Sequence, residues 1–70
     1  MQWNENIKYL RKANKESQEE LAIALGVSQR IVSYWETGKT EPNIEQITKI
    51  AHRYKISTDY LLNHSLGQEQ

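Results

Sequence analysis

Residues 17–38, SQEELAIALGVSQRIVSYWETG, restrict what this chain can fold into more than any other stretch. Ser17 is placed to cap a helix, and Glu20 follows at the spacing of a capping box, so hydroxyl and carboxylate can satisfy orphan amides reciprocally. Leu21, Ala22 and Leu25 then repeat at helical spacing as one apolar stripe. Gly26 ends that helix, because glycine takes the left-handed conformation that a tight C-terminal turn requires. After apolar Val27, Ser28 is a second cap. The next helix carries Val32 and Trp35 at the i, i+3 spacing until Thr37-Gly38 closes it. Two helices this close in sequence must cross steeply, and small Ala22 suits the point where their backbones approach.

That combination is the helix-turn-helix pattern, in which the second helix enters a DNA major groove. An αα-hairpin inside any helical bundle shares each feature singly. The coincidence of Ala22, Gly26, Val27, Val32 and Trp35 at fixed offsets favours the DNA-reading form.

The flanking chain supplies three further helices and no strand pattern. Residues 4–13 predict a first helix with Ile7 and Leu10 on its apolar stripe, Trp3 just ahead of it, and Lys8, Arg11 and Lys12 as a basic surface. Asn14 is expected to take the left-handed cap. Pro42 cannot continue a helix and holds the segment from Lys39 to Glu41 as a loop. Asn43 and Gln46 form a second capping-box pair ahead of a helix with Ile44, Ile47, Ile50, Ala51 and Tyr54 on one face. Ser57 caps a short last helix bearing Tyr60, Leu61 and Leu62. The predicted fold is all-α: a compact five-helix bundle forming a single domain over residues 1–70, ordered from about 4 to 63, with a frayed tail over 64–70. Ile7, Leu10, Leu21, Ala22, Leu25, Val27, Val32, Trp35, Ile47, Ile50, Ala51, Ile56 and Leu61 are expected inside. Ile23 and Ile31 are expected outside, and an outward apolar tip at Ile31 can touch a thymine methyl.

Seventy residues bury only about 60% of the surface that the unfolded chain exposes, so the margin of stability is small. The absence of cysteine excludes a disulfide framework and thiolate metal sites. His52 and His64 lie apart with no zinc spacing, no serine has His/Asp partners, and no glycine loop cradles a phosphate, so no enzyme and no cofactor is expected. No apolar leader opens the chain and no apolar run is long enough to span a bilayer, which predicts a cytoplasmic protein with no membrane partner. The short tail suggests no small-molecule effector domain. Net charge is zero, awkward for a DNA binder, because phosphate neutralisation supplies most non-specific affinity. Many carboxylates, however, fall in first turns of helices, while Arg30 and Lys39 lie on the second hairpin helix and its exit. Modest affinity per monomer is expected.

With these residues identified, the chain resembles the lambdoid repressor and Cro family of helix-turn-helix regulators, through IKYLRK, SQEELA, LGVSQ, YWETGKTEPN and ISTDYLL, from about Ile7 to Leu62. The resemblance implies a five-helix bundle that binds operator DNA as a dimer. Position by position, it implies base reading by Gln29, Arg30, Ser33 and Tyr34, with Ile31 beside them. Tyr34 can alternatively lay its ring along the surface or hydrogen-bond a phosphate. The same matching implies phosphate contacts from Gln18, Ser28, Thr37, Lys39 and Thr40, and an internal ion pair between Arg11 and Glu36. A dimer contact through the last helix points to Tyr60, Leu61, Leu62 and Leu66. Three positions depart from the family pattern. Lys15-Glu16 replace a glycine and an apolar residue, which predicts a looser turn; Lys55 replaces another glycine; acidic Glu41 weakens the expected backbone grip.

The reading that follows is a sequence-specific transcriptional regulator, a phage or bacterial repressor occupying a palindromic operator as a homodimer. Gln pairs with adenine and Arg with guanine in the major groove. A protein-interaction module, or an antitoxin-like protein binding both a toxin and its own promoter, would use the same fold.

Overall fold

The computed structural model describes residues 2–63, and the expected tail over 64–70 lies outside the described residues, as does Leu66. Five helices follow one another: α1 Gln2–Ala13, α2 Gln18–Leu25, α3 Gln29–Thr37, α4 Ile44–Arg53 and α5 Thr58–Asn63, with no strand among the described residues. α1 packs against α3 and α5, α2 against α3 and α4, and α4 against α5. Trp3, Ile7, Leu21, Ala22, Leu25, Val32, Trp35, Ile50, Ala51 and Leu61 form the buried core, with Leu10, Val27, Ile47, Tyr54, Ile56 and Leu62 packed around it.

Each helix of the central pair starts as its cap residues dictate. Ser17 Oγ accepts from Glu20 N, and the Glu20 carboxylate accepts from Ser17 N, closing the capping box. Ser28 Oγ accepts from Ile31 N at the start of α3. Asn43 and Gln46 repeat the box ahead of α4.

Four helix ends close in one way. After α2, Gly26 is left-handed at φ 75°, Gly26 N donates to Ile23 O, and Val27 N donates to Ala22 O. After α3, Gly38 at φ 79° and Lys39 repeat the pattern onto Trp35 O and Tyr34 O. The same pair of bonds follows α1, from Lys15 N to Lys12 O and Glu16 N to Arg11 O, and follows α4, from Lys55 N to His52 O and Ile56 N to Ala51 O. There the left-handed residues are lysines, Lys15 at φ 57° and Lys55 at φ 61°. The left-handed residue after α1 is thus Lys15 and not Asn14, whose side chain instead donates back to Leu10 O. Nor is this turn loose. The Arg11 guanidinium donates to Glu16 O at 2.7 Å, and the Glu16 carboxylate bonds the Arg53 guanidinium and the Tyr54 hydroxyl. A polar clasp onto α4 stands where an apolar residue was expected to seal the turn.

A side chain in the left-handed region costs about 1–2 kcal/mol, and glycine loses about half of that gain to chain entropy. Lys15→Gly and Lys55→Gly are therefore each expected to stabilise by about 0.5–1 kcal/mol, read as a melting temperature raised by a few degrees. Asn14→Gly is expected to lower it; the reverse order would contradict the assignment of the left-handed residue.

Three apolar residues sit differently from expectation. Trp3 is buried because α1 begins two residues earlier than expected and brings it into the core. Ile31 is half-buried against the core, since it lies one turn from buried Trp35 and flanks the same stripe. Ile44, expected on the inner face of α4, is 83% exposed at the first residue of that helix.

Candidate nucleic-acid interface

α3 presents one side to solvent. Gln29 and Arg30 are exposed at its N-terminal turn, and Ser33 and Tyr34 stand half-covered one turn later. Val32, Trp35 and Glu36 point inward, as the helical period requires once Trp35 is committed to the core. Ile31, expected beside the outward group, lies on the flank with its side chain partly occupied by the core.

A chain of polar contacts fixes the helix behind that surface. The Arg11 guanidinium donates to both oxygens of Glu36, at 2.6 and 3.1 Å, with the side chains 9% and 3% exposed. Glu36 Oε1 also accepts from Gln18 Nε2 at 3.0 Å. Gln18 Oε1 accepts from Gln29 Nε2 at 3.4 Å, so the first turn of α3 is linked through the first turn of α2 to α1. The hydrogen bond and charge of Glu36 raise the Arg11 pKa and keep the guanidinium charged despite its burial. In the clasp behind it, burial opposes ionisation of Glu16, but bonds from Arg53 and Tyr54 outweigh it and hold that carboxyl below its ordinary value. Burial, then the bond to Glu16, pushes the Tyr54 hydroxyl well above the ordinary tyrosine range. The Glu16–Arg53–Tyr54 cluster was not foreseen from sequence, because its members lie 37 and 38 positions apart and no local pattern joins them.

The residues matched to phosphate contact line both ends of α3. Ser28, its Oγ occupied as an acceptor by the cap, keeps a hydroxyl proton to donate. Gln18 is half-buried, with its amide nitrogen facing Glu36. Thr37 is exposed, but its hydroxyl donates back to Ser33 O and Tyr34 O, so it offers no free proton outward in this rotamer. Lys39 and Thr40 are exposed on the loop after Gly38.

Local charge differs from the neutral total. Between Ser28 and Thr40 the one carboxylate, Glu36, is buried and neutralised by Arg11. Arg30 and Lys39 stay exposed and, among the described residues, neither is in an ion pair. Glu41 follows them, exposed, on the loop.

On the last helix, Tyr60 and Leu62 are half-buried. Leu61, expected at a dimer contact, is fully buried in the core of this protomer and offers nothing to a partner surface. Among the described residues no group of three or more His, Cys, Asp or Glu is arranged to hold a metal, and no helix is long and apolar enough to cross a membrane.

The sequence matches the helix-turn-helix family over residues 7–61. It is 39% identical over 64 residues to repressor protein C2 of Salmonella phage P22, and 38% identical over 63 residues to the HTH-type transcriptional activator BcrR of Enterococcus faecalis. These alignments cover 91% and 90% of this chain but only 30% and 31% of those relatives, so the chain spans about a third of their length. The fold superposes on the P22 c2 repressor protein in complex with a synthetic operator, with a TM-score of 0.83 at 36% identity, covering 90% of this chain and 96% of that one. The DNA-binding domain of the same repressor in solution gives a TM-score of 0.86 at 36% identity, covering 100% of this chain and 92% of that one. On both sequence and fold, the chain belongs to the helix-turn-helix family, in its lambdoid repressor group.

Proposed function

We propose that this chain is a sequence-specific DNA-binding unit of a transcriptional repressor, not an enzyme, and that it places α3 in the major groove of an operator. The observation that carries this is the outward face of α3: Gln29, Arg30 and Ser33 project from a helix anchored behind by Gln18, Glu36 and Arg11. Its likeness to a repressor solved on operator DNA supports the same reading. Arg30 suits bidentate pairing with guanine and Gln29 with adenine. Ser28, Gln18, Lys39 and Thr40 then face the phosphates on either side, with Thr37 joining them after its hydroxyl rotates outward. One recognition helix reads few base pairs, so a homodimer on two half-sites about 34–36 Å apart completes the proposal, with Tyr60 and Leu62 of α5 as its contact. The protein would act in the cytoplasm.

Selection of bound duplexes from a random pool tests the reading. Arg30→Ala is expected to relax preference at one half-site position and to weaken the selected operator by about 1–3 kcal/mol. Lys39→Ala is expected to weaken all sequences alike and to make the salt dependence shallower by about 0.9 in log–log slope. Two variants that behave identically would overturn the division of roles. Absent binding to every duplex at low salt would overturn the proposal and point to a protein-interaction module.

A further inference from the structure

We infer that Tyr34 is a positioning residue: its ring holds the Lys39 ammonium at the exit of α3 without neutralising it, aimed for a DNA phosphate. This rests on the operator-binding reading and gives Tyr34 a role other than base contact.

The Lys39 Nζ lies 5.0 Å from the centroid of the Tyr34 ring. The backbone enforces this meeting. Tyr34 O accepts from Lys39 N at 2.8 Å and from Thr40 N at 3.4 Å, while left-handed Gly38 turns the chain back over the last turn of α3. The lysine thus leaves the helix already folded across the ring, and Tyr34 is half-covered in consequence.

The chemistry of the partner matters more than the contact. Three other basic side chains of this neutral protein are paired with carboxylates: Arg11 with Glu36, Arg53 with Glu16, Lys49 with Glu45. A carboxylate fixes a cation by cancelling its charge. An aromatic face attracts the cation through its quadrupole and leaves the full positive charge in place. A lysine ammonium has three N–H donors, and a ring covers one side of it, so the remaining donors are free for phosphate oxygens. Lysine otherwise carries a long flexible stem that must be ordered on binding. Exposed Glu41, two residues on, is a competing partner for an unanchored Lys39, and the ring offers the alternative that keeps the charge.

The test is a double-mutant cycle on the selected operator duplex, with Kd measured over a series of KCl concentrations. Tyr34→Leu is expected to weaken binding by about two- to fivefold, the strength of an exposed cation–π contact, and to make the salt slope shallower. Tyr34→Phe, which keeps the ring face, is expected to restore both. Adding Tyr34→Leu to Lys39→Met is expected to change nothing further. In the unmodified protein, the Lys39 ε-methylene protons are expected to be shifted upfield by the ring current, and in Tyr34→Phe as well. This readout needs no Leu variant and stands if that variant fails to fold. Unshifted protons, losses that simply multiply in the double variant, or a Tyr34→Leu protein with changed base preference and an intact salt slope would each overturn the inference. Failure of the unmodified protein to bind any duplex would instead overturn the operator reading.

Discussion

Glu36→Ala is expected to melt tens of degrees below the unmodified protein, whereas Glu45→Ala is expected to melt within a few degrees of it. The two carboxylates differ in what surrounds them. Glu45 is 77% exposed and faces Lys49 at 3.7 Å across one helical turn, an arrangement worth about 0.3–0.5 kcal/mol. Glu36 is 3% exposed and receives three donors, two from Arg11 and one from Gln18. Its removal leaves the Arg11 guanidinium buried without a counter-ion, and breaking such a pair on one side costs about 3–5 kcal/mol. At about 4–8 °C per kcal/mol for a domain of this size, the shift is large. The pair need not be net stabilising for this to hold, because the penalty comes from the orphaned charge. Arg11→Met combined with Glu36→Leu is accordingly expected to recover much of the lost stability, while Gln18 loses its acceptor and α3 its link to α1. Thermal unfolding followed by circular dichroism decides it, and equal midpoints for Glu36→Ala and Glu45→Ala would remove the pair from the account.

That contrast also shows which parts of this protein its sequence reveals. Caps, turns and helix periods act over three or four residues, so Ser17, Gly26, Ser28, Gly38 and Asn43 could be read directly and the helices fall where they predict. The outward positions Gln29, Arg30, Ser33 and Tyr34 follow once Val32 and Trp35 are committed to the core. Long-range arrangement is another matter. The Glu16 clasp joins residues nearly forty positions apart. Asn6 is 1% exposed on an otherwise apolar interface because its amide reaches Leu61 O at 2.6 Å, a partner found only when α1 meets α5. Lys15 and Lys55 occupy left-handed positions that propensity assigns to glycine or asparagine, because the bonds closing those turns set the backbone whatever the side chain. Periodicity likewise marks Ile44 and Ile31 as one face or the other, but only packing tells which of them the neighbouring helices cover.

Leu61→Ala, the second large effect, separates core from contact on α5. The resemblance implies a dimer contact through the last helix, with Leu61 a candidate beside Tyr60, Leu62 and Leu66, while helical spacing also places Leu61 in the core, and the fold assigns it to the core. Its side chain is fully buried, and the Asn6 amide is fastened to its carbonyl, so α5 docks on α1 through this residue. Truncating a buried leucine removes its transfer free energy and opens a cavity, about 2–5 kcal/mol together. The expected result is a protein that unfolds at much lower temperature, loses DNA binding with its fold, and keeps its association below that temperature. Leu62→Ala and Tyr60→Ala, at half-buried positions, are expected to lower stability less and to shift the monomer–dimer equilibrium more. Sedimentation equilibrium below the melting point of each variant distinguishes the two effects. A Leu61→Ala protein with unchanged melting temperature and lost association would put that side chain on the outside of the bundle. Weakened association at Leu62 and Tyr60, with Leu61→Ala defective only in folding, makes α5 a helix with one side spent on its own core and the other left for a second copy.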